Sequence, residues 1–115
     1  MEVSIHSPDS TLSSDDLQAI RQRVAVALAR VASAVRRVRV SIGEVARPHA
    51  DDEITLRLAV YLKAGPRVVL TESDREIQAA ASRGAERLRR GVVRRLRDLE
   101  DAKPHSQARS YDHRR

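Results

Sequence analysis

The side chains with the clearest chemical purpose in this chain are arginines. Arg83, Arg87, Arg90, Arg94 and Arg97 are spaced 4, 3, 4 and 3 residues apart. At about 100° per residue on a helix, all five project within roughly 40° of one direction, and Arg89 and Arg95 flank the row. From Arg83 to Arg97 there are seven arginines and one acid, Glu86, so this window carries the whole +6 excess of a 115-residue chain with 22 Lys and Arg against 16 Asp and Glu. Like charges three or four positions apart repel, and helix stability alone does not favour five in line. A polyanion relieves that repulsion: guanidinium grips phosphate through two parallel hydrogen bonds, and each neutralised phosphate releases condensed counterions. The row points to nucleic acid. A solvated helix face and an acidic protein partner are the competing readings.

Other basic residues extend or dilute this picture. Arg23 and Arg30, seven residues apart, fall on the outer face of the first predicted helix and either widen the basic surface or are ordinary surface arginines. Arg37, Arg39, Arg57, Lys63 and Arg67 fall on the open face of a predicted sheet, where they bind a partner or, the favoured reading, blunt edge pairing and keep the sheet soluble. With no Phe or Trp and only Tyr61 and Tyr111, the chain lacks the aromatic pair of a single-strand reader. Shape and phosphate recognition of folded RNA fits better. The candidate RNA-binding set is thus Arg83, Arg87, Arg89, Arg90, Arg94, Arg95 and Arg97, with Arg23 and Arg30.

Catalysis finds no footing. There is no Cys, hence no thiol nucleophile, disulfide framework or Cys-bearing zinc site. His6, His49, His105 and His113 are scattered without metal-ligand spacing, and Asp51, Asp52 and Glu53 share one loop with no second carboxylate wall. Ser13 and Ser14 read as helix caps, and Gly65-Pro66 as a turn, because no glycine-rich stretch precedes a helix start. No enzyme activity, cofactor, metal or small-molecule substrate is expected.

The elements that must position the arginines follow from periodicity. Val3 and Ile5 alternate with polar neighbours in a short strand that ends at Ser7-Pro8-Asp9. Leu17, Ile20, Val24, Leu28, Val31 and Val35 form one helical stripe, opened by Ser13 or Ser14 with Asp15 and Asp16 and closed by Arg36 and Arg37. Val38, Val40 and Ile42 mark a second strand, and Gly43 to Glu53 an exposed connection. Ile54, Leu56, Leu58, Val60 and Leu62 mark a third, and Ala64-Gly65-Pro66 turns into a fourth at Val68 and Leu70. Ser73-Asp74-Arg75-Glu76 has capping-box spacing and is expected to open a helix running to Leu99, weakened by Gly84 and Gly91.

The order β-α-β-β-β-α predicts an α+β fold: a two-layer sandwich with two helices packed on one face of a four-stranded sheet. Strands two to four should form a meander, and strand one should reach the sheet through a helical crossover. Residues 1–101 make one domain and 102–115 a flexible polar tail. No stretch approaches the ~20 apolar residues of a membrane span and the start lacks a signal-peptide core, so the expected location is the cytoplasm.

This order and the second helix together resemble the bacterial ribosome hibernation-promoting factor and ribosome-associated inhibitor family, also called sigma-modulation proteins, over roughly Glu2 to Leu99. Family members share a segment of the form D-x-Y-x-A-I-D, then D-K-L-x-R-Q-L, then a basic helix tail. Glu76-Ile77-Gln78-Ala79-Ala80-Ala81-Ser82 and Glu86-Arg87-Leu88-Arg89-Arg90-Gly91-Val92 occupy these places at the same interval. Arg87 and Arg90 match the basic positions and Arg94 continues them. Gln78, Ser82 and Gly91 stand where Tyr, an acid and Gln are usual. The resemblance implies binding to ribosomal RNA in the decoding cleft of the small ribosomal subunit, overlapping messenger and transfer RNA positions and silencing translation under stress. It implies the short type of the family, and leaves open self-association and whether ribosome dimerisation is assisted or prevented. Two other readings compete: a general double-stranded RNA-binding module, which usually concentrates lysines at the start of its second helix where this chain has only Arg75, and a protein-interaction or self-associating module using the open sheet face or its edge.

Overall fold

The computed structural model describes residues 1–7, 12–43 and 53–112, with side chains as far as residue 101. Pro8 and Asp9 of the expected first turn, most of the Gly43 to Glu53 connection with His49, Asp51 and Asp52, and the side chains of the expected tail lie outside the described residues. The elements are β1 (Glu2–His6), α1 (Ser14–Ala27), a 3-10 segment (Ala29–Ala34), β2 (Val35–Ile42), β3 (Ile54–Leu62), β4 (Val68–Asp74) and α2 (Ile77–Asp112). They build the expected α+β sandwich.

The sheet order is β1-β2-β3-β4. β1 lies parallel to β2, Val3 opposite Val38 and Ile5 opposite Val40, and β2, β3 and β4 form an antiparallel meander. Alternation sends Val38, Val40 and Ile42 of β2 and Leu56, Leu58, Val60 and Leu62 of β3 to one side. There they are buried with Ile20, Val24 and Leu28 from the first helical stretch and Ile77, Ala81, Leu88 and Val92 of α2. No polar or charged residue is buried among the described residues, so the apolar layer between helices and sheet holds no chemistry of its own.

Local structure departs from the sequence expectation in four places, each with a physical reason. Ser13 caps α1 as expected, its hydroxyl accepting from the Asp16 N–H at 3.1 Å and the Asp16 carboxylate accepting from the Ser13 N–H at 3.4 Å, a capping box. α1 then stops at Ala27 instead of reaching Arg36 and Arg37. The three-residue interval from Leu28 to Val31 serves a 3-10 turn as well as an α-helix, and Val35 is recruited to β2, opposite Leu62. Between Val35 and Arg37 the pairing slips by one residue, a bulge that lets Val35 and Val38 both face the core.

The capping box expected at Ser73 to Glu76 is absent. β4 runs on through Asp74, and Ser73 Oγ lies 3.1 Å from Thr55 Oγ1. The Glu76 N–H instead donates to Asp74 Oδ1 at 2.8 Å, while the Glu76 carbonyl accepts from Ala79 and Ala80. An aspartate two residues before the turn thus does the work assigned to a serine. At its other end α2 continues past Leu99, where the apolar repeat stops, to Asp112. Extension of a formed helix adds one hydrogen bond per residue, though Pro104 withholds one.

Candidate nucleic-acid interface

α2 lies directly over β3 and β4, and two glycines set the distance. A Cβ at Gly84 would stand 3.0 Å from Leu58 Cδ1, and one at Gly91 would stand 3.1 Å from Val68 Cγ1. The residues expected to weaken the helix are the ones that let it sit close to the sheet. Close seating brings the adjacent arginine row to the free edge of β4.

The first two arginines of the row are held there. Arg83 donates from Nε to Glu72 Oε1 at 3.2 Å, from Nη1 to Asp74 Oδ2 at 2.9 Å and from Nη2 to the Ser73 carbonyl at 2.8 Å. Arg87 donates from Nη1 to Glu72 Oε2 at 2.7 Å and to the Thr71 carbonyl at 3.1 Å. Glu72 and Asp74 reach the row because β4 keeps its period of two: Val68, Leu70, Glu72 and Asp74 all point to the helix side. The alternation beyond Leu70 was the available signal for these two acids, masked by the capping-box spacing of the same residues.

The electrostatics follow from these bonds. The Arg87 hydrogen bond, aided by Arg83, holds the Glu72 carboxyl below the usual carboxylate range. The Glu76 backbone N–H, then Arg83, does the same for Asp74. Asp74 and Glu72 together push Arg83 further above its already high value. Arg89, flanking the row, pairs with Glu86 three residues earlier, lowering Glu86 and raising Arg89.

The second half of the row is different. Arg90, Arg94 and Arg97 are exposed and make no ion pair among the described residues. Arg95 has only a 3.5 Å approach to the Pro66 carbonyl. Between the row and β4 runs an open groove of about 360 Å³, with Val68, Val69 and Leu70 on one wall and Arg87, Arg90 and Arg94 on the other. Among the described residues the five aligned guanidinium groups are therefore two held in ion pairs and three without one, and of these three Arg90 and Arg94 line the groove.

The remaining candidates are dispersed. Arg23 is on α1 and donates to Gln78 Oε1 at 3.1 Å, while Gln78 Nε2 donates to the Asp16 carbonyl at 3.1 Å. Gln78 thus clasps α1 to α2, a role that its sequence neighbourhood did not announce. Arg30 lies in the 3-10 segment, off α1, so the shared outer face expected for Arg23 and Arg30 does not form. Among the described residues no group of three His, Asp or Glu is placed to hold a metal ion, and no helix is long and apolar enough to cross a membrane.

No protein-family model matches the sequence, and no curated protein matches it. Solved structures do match in fold. The chain is similar to the N-terminal domain of Protein Y from Thermus thermophilus, with a TM-score of 0.65 and 18% identity over 82% of this chain and 98% of that one. It is also similar to a ribosomal subunit interface protein from Coxiella burnetii, with a TM-score of 0.58 and 8% identity over 88% of this chain and 99% of that one. At these identities the likeness is one of fold, and it agrees with the architecture that the sequence resemblance implied.

Proposed function

We propose that this protein is a ribosome-associated translation inhibitor that binds ribosomal RNA of the small subunit along α2 and blocks messenger and transfer RNA positions by occupying them. The observation that carries the reading is the run of Arg90, Arg94 and Arg97, which form no ion pair among the described residues, with Arg95 next to it and with Arg90 and Arg94 lining the β4 groove. Three exposed guanidinium groups on successive turns of a helix suit a phosphate-binding rail, since none of them is held in an ion pair and only Arg90 acts through space on a carboxylate, Glu86. The fold shared with a ribosomal subunit interface protein supports the choice of target. The inhibition is steric and electrostatic, and the protein acts in the cytoplasm on the ribosome without a cofactor.

Arg83, Arg87 and Arg89 belong to the second rank of this interface, because each must leave or share a carboxylate before it meets a phosphate. Arg23 and Arg30 are peripheral to it.

Cosedimentation with small ribosomal subunits tests the reading. Wild-type protein travels with the subunits, and the Arg90→Glu, Arg94→Glu, Arg97→Glu triple variant does not, while its circular dichroism is unchanged. For Arg90, Arg94 and Arg97 together with Arg95 beside them, log affinity falls against log salt with a slope of about −4. A salt-independent interaction, or equal affinity for generic duplex RNA and for subunits, defeats the proposal, the latter in favour of a general double-stranded RNA-binding module.

A further inference from the structure

The face of the sheet turned away from the helices carries its own chemistry. Alternation sends Arg37 and Arg39 of β2 and Arg57 and Tyr61 of β3 to that side, all on the two central strands. Arg37 stands opposite Tyr61 on one flank and Glu2 on the other, Arg39 lies between Ala59 and Ser4, and Arg57 lies between Ser41 and Thr71. Arg67, just before β4, completes the set. The Arg37 guanidinium carbon lies 4.6 Å from the centroid of the Tyr61 ring and that of Arg67 lies 5.9 Å from it. Two guanidinium groups thus lie within cation–π reach of the ring, near the turn end of this face.

Edge protection does not account for these arginines. Arg37, Arg39 and Arg57 are on strands paired on both sides, where there is no edge to blunt. The true edges are closed by other residues: Arg21 donates to the Val3 carbonyl of β1, and Arg83 and Arg87 donate to the Ser73 and Thr71 carbonyls of β4. The edge-blunting half of the favoured sequence reading therefore does not apply to the three on central strands. Nor are they neutralised, for unlike Arg83, Arg87 and Arg89 they form no ion pair among the described residues. On this face four arginines meet one carboxylate, Glu2, and like charges on neighbouring same-face positions destabilise a sheet.

We infer that the open sheet face binds a single-stranded RNA segment, its phosphates on Arg37, Arg39 and Arg57 and one base against the Tyr61 ring with its arginine neighbours. The charge selects a polyanion. The aromatic ring selects nucleic acid over an acidic polypeptide, because bases stack on aromatic rings and on guanidinium planes. The single strand is selected over a duplex because a duplex keeps its base faces stacked on one another, and the Arg37 and Arg67 guanidinium planes beside Tyr61 stand in for the second aromatic that a single-strand reader otherwise needs. This face is separate from the α2 rail, so the inference stands or falls independently of the function proposed above.

The test uses the full chain and a fluorescein-labelled 12-nucleotide oligouridylate at low salt, read by anisotropy. The Arg37→Gln, Arg39→Gln, Arg57→Gln variant, and each single substitution to a smaller degree, weakens binding; the triple does so about tenfold or more and reduces the salt slope by about 2. Tyr61→Leu weakens binding by about tenfold, whereas Tyr61→Phe retains it. The Arg90→Gln, Arg94→Gln, Arg97→Gln variant, which removes phosphate attraction on the other side of the molecule, lowers total affinity but leaves the Tyr61-dependent part of binding in place. In a Tyr111→Leu background Tyr61 is the sole aromatic fluorophore, since the chain has two Tyr and no Trp or Phe, and its emission is quenched when a base stacks on it. The inference is overturned if the oligonucleotide does not bind, if the rail variant rather than the sheet variant abolishes binding, if Tyr61 emission is unaltered, or if polyglutamate of equal charge displaces the oligonucleotide equally well.

Discussion

Glu72 is the residue on which the α2 rail turns. One carboxylate accepts from both Arg83 and Arg87 and is itself largely covered, with 15% of its side chain exposed. An RNA phosphate competing for those two arginines must displace Glu72. Glu72→Gln leaves Arg87 with a neutral partner while Arg83 keeps Asp74, so affinity for small subunits rises and the salt slope steepens by about 1 as one further phosphate is engaged. An unchanged slope shows that Arg87 does not reach the RNA. The stability cost is small, since half-exposed ion pairs contribute little. It has a definite pH signature, because Glu72 and Asp74 have folded-state pKa values below their unfolded ones. Their contribution is fully present above the unfolded carboxylate range, about pH 4, and is lost as pH falls through the depressed folded values. Thermal melting followed from pH 7 downward is expected to stay level in these pairs' contribution until about pH 4 and then fall, and the fall is shallower in Glu72→Gln.

At the scale of the element, α2 shows what a sequence can and cannot disclose. The arginine row, the apolar stripe from Ile77 to Leu99 and the period-two strands β2 and β3 are legible because each is a local repeat, and every residue in it sits where the repeat puts it. The pairing of Arg83 and Arg87 with Glu72 and Asp74 was not legible, because it depends on β4 being four residues longer than its apolar pattern. A polar strand end and a helix cap use the same residue types. The bulge at Arg36 and the stop of α1 at Ala27 were hidden for a related reason: both are decided by Val35, whose spacing fits the helical stripe while its burial is better served beside Leu62. Gly84 and Gly91 read as weaknesses because local propensity is all that a sequence scan scores. In the fold they differ from each other. Gly84 faces Leu58, which is fully buried and cannot yield, whereas Gly91 faces half-buried Val68. Gly84→Ala gains about 1 kcal/mol of helix propensity and loses about 1–3 kcal/mol to overpacking, so denaturant unfolding should show net destabilisation. Gly91→Ala, beside a side chain free to turn, should be neutral or stabilising. A more stable Gly84→Ala protein contradicts the close helix-sheet contact as the reason for glycine there.

Over the whole molecule, the packed body ends where α2 last touches the sheet. Leu96 packs against the core, and Leu99 closes over the β3–β4 turn, where Gly65 adopts φ +87° and a Cβ would stand 2.9 Å from Leu99 Cδ1. That positive φ admits glycine without strain, and the leucine above it fixes the turn to the helix. Beyond Leu99 the sequence carries the apolar repeat no further. The domain boundary proposed at residue 101 therefore has a direct consequence for a shortened chain. Truncation after Asp101 keeps Leu96, Leu99 and the whole unpaired arginine run, so its melting temperature should match that of the full chain and it should still travel with small subunits. Truncation after Arg94 keeps two of the three unpaired arginines but removes Leu96 and Leu99, uncovering the β3–β4 turn, and should melt at a distinctly lower temperature. If the first truncation loses cooperative unfolding, the segment from residue 102 is part of the folded unit and the boundary is misplaced. If the second melts like the full chain, the clasp of Leu99 on Gly65 does not hold the end of the sandwich together.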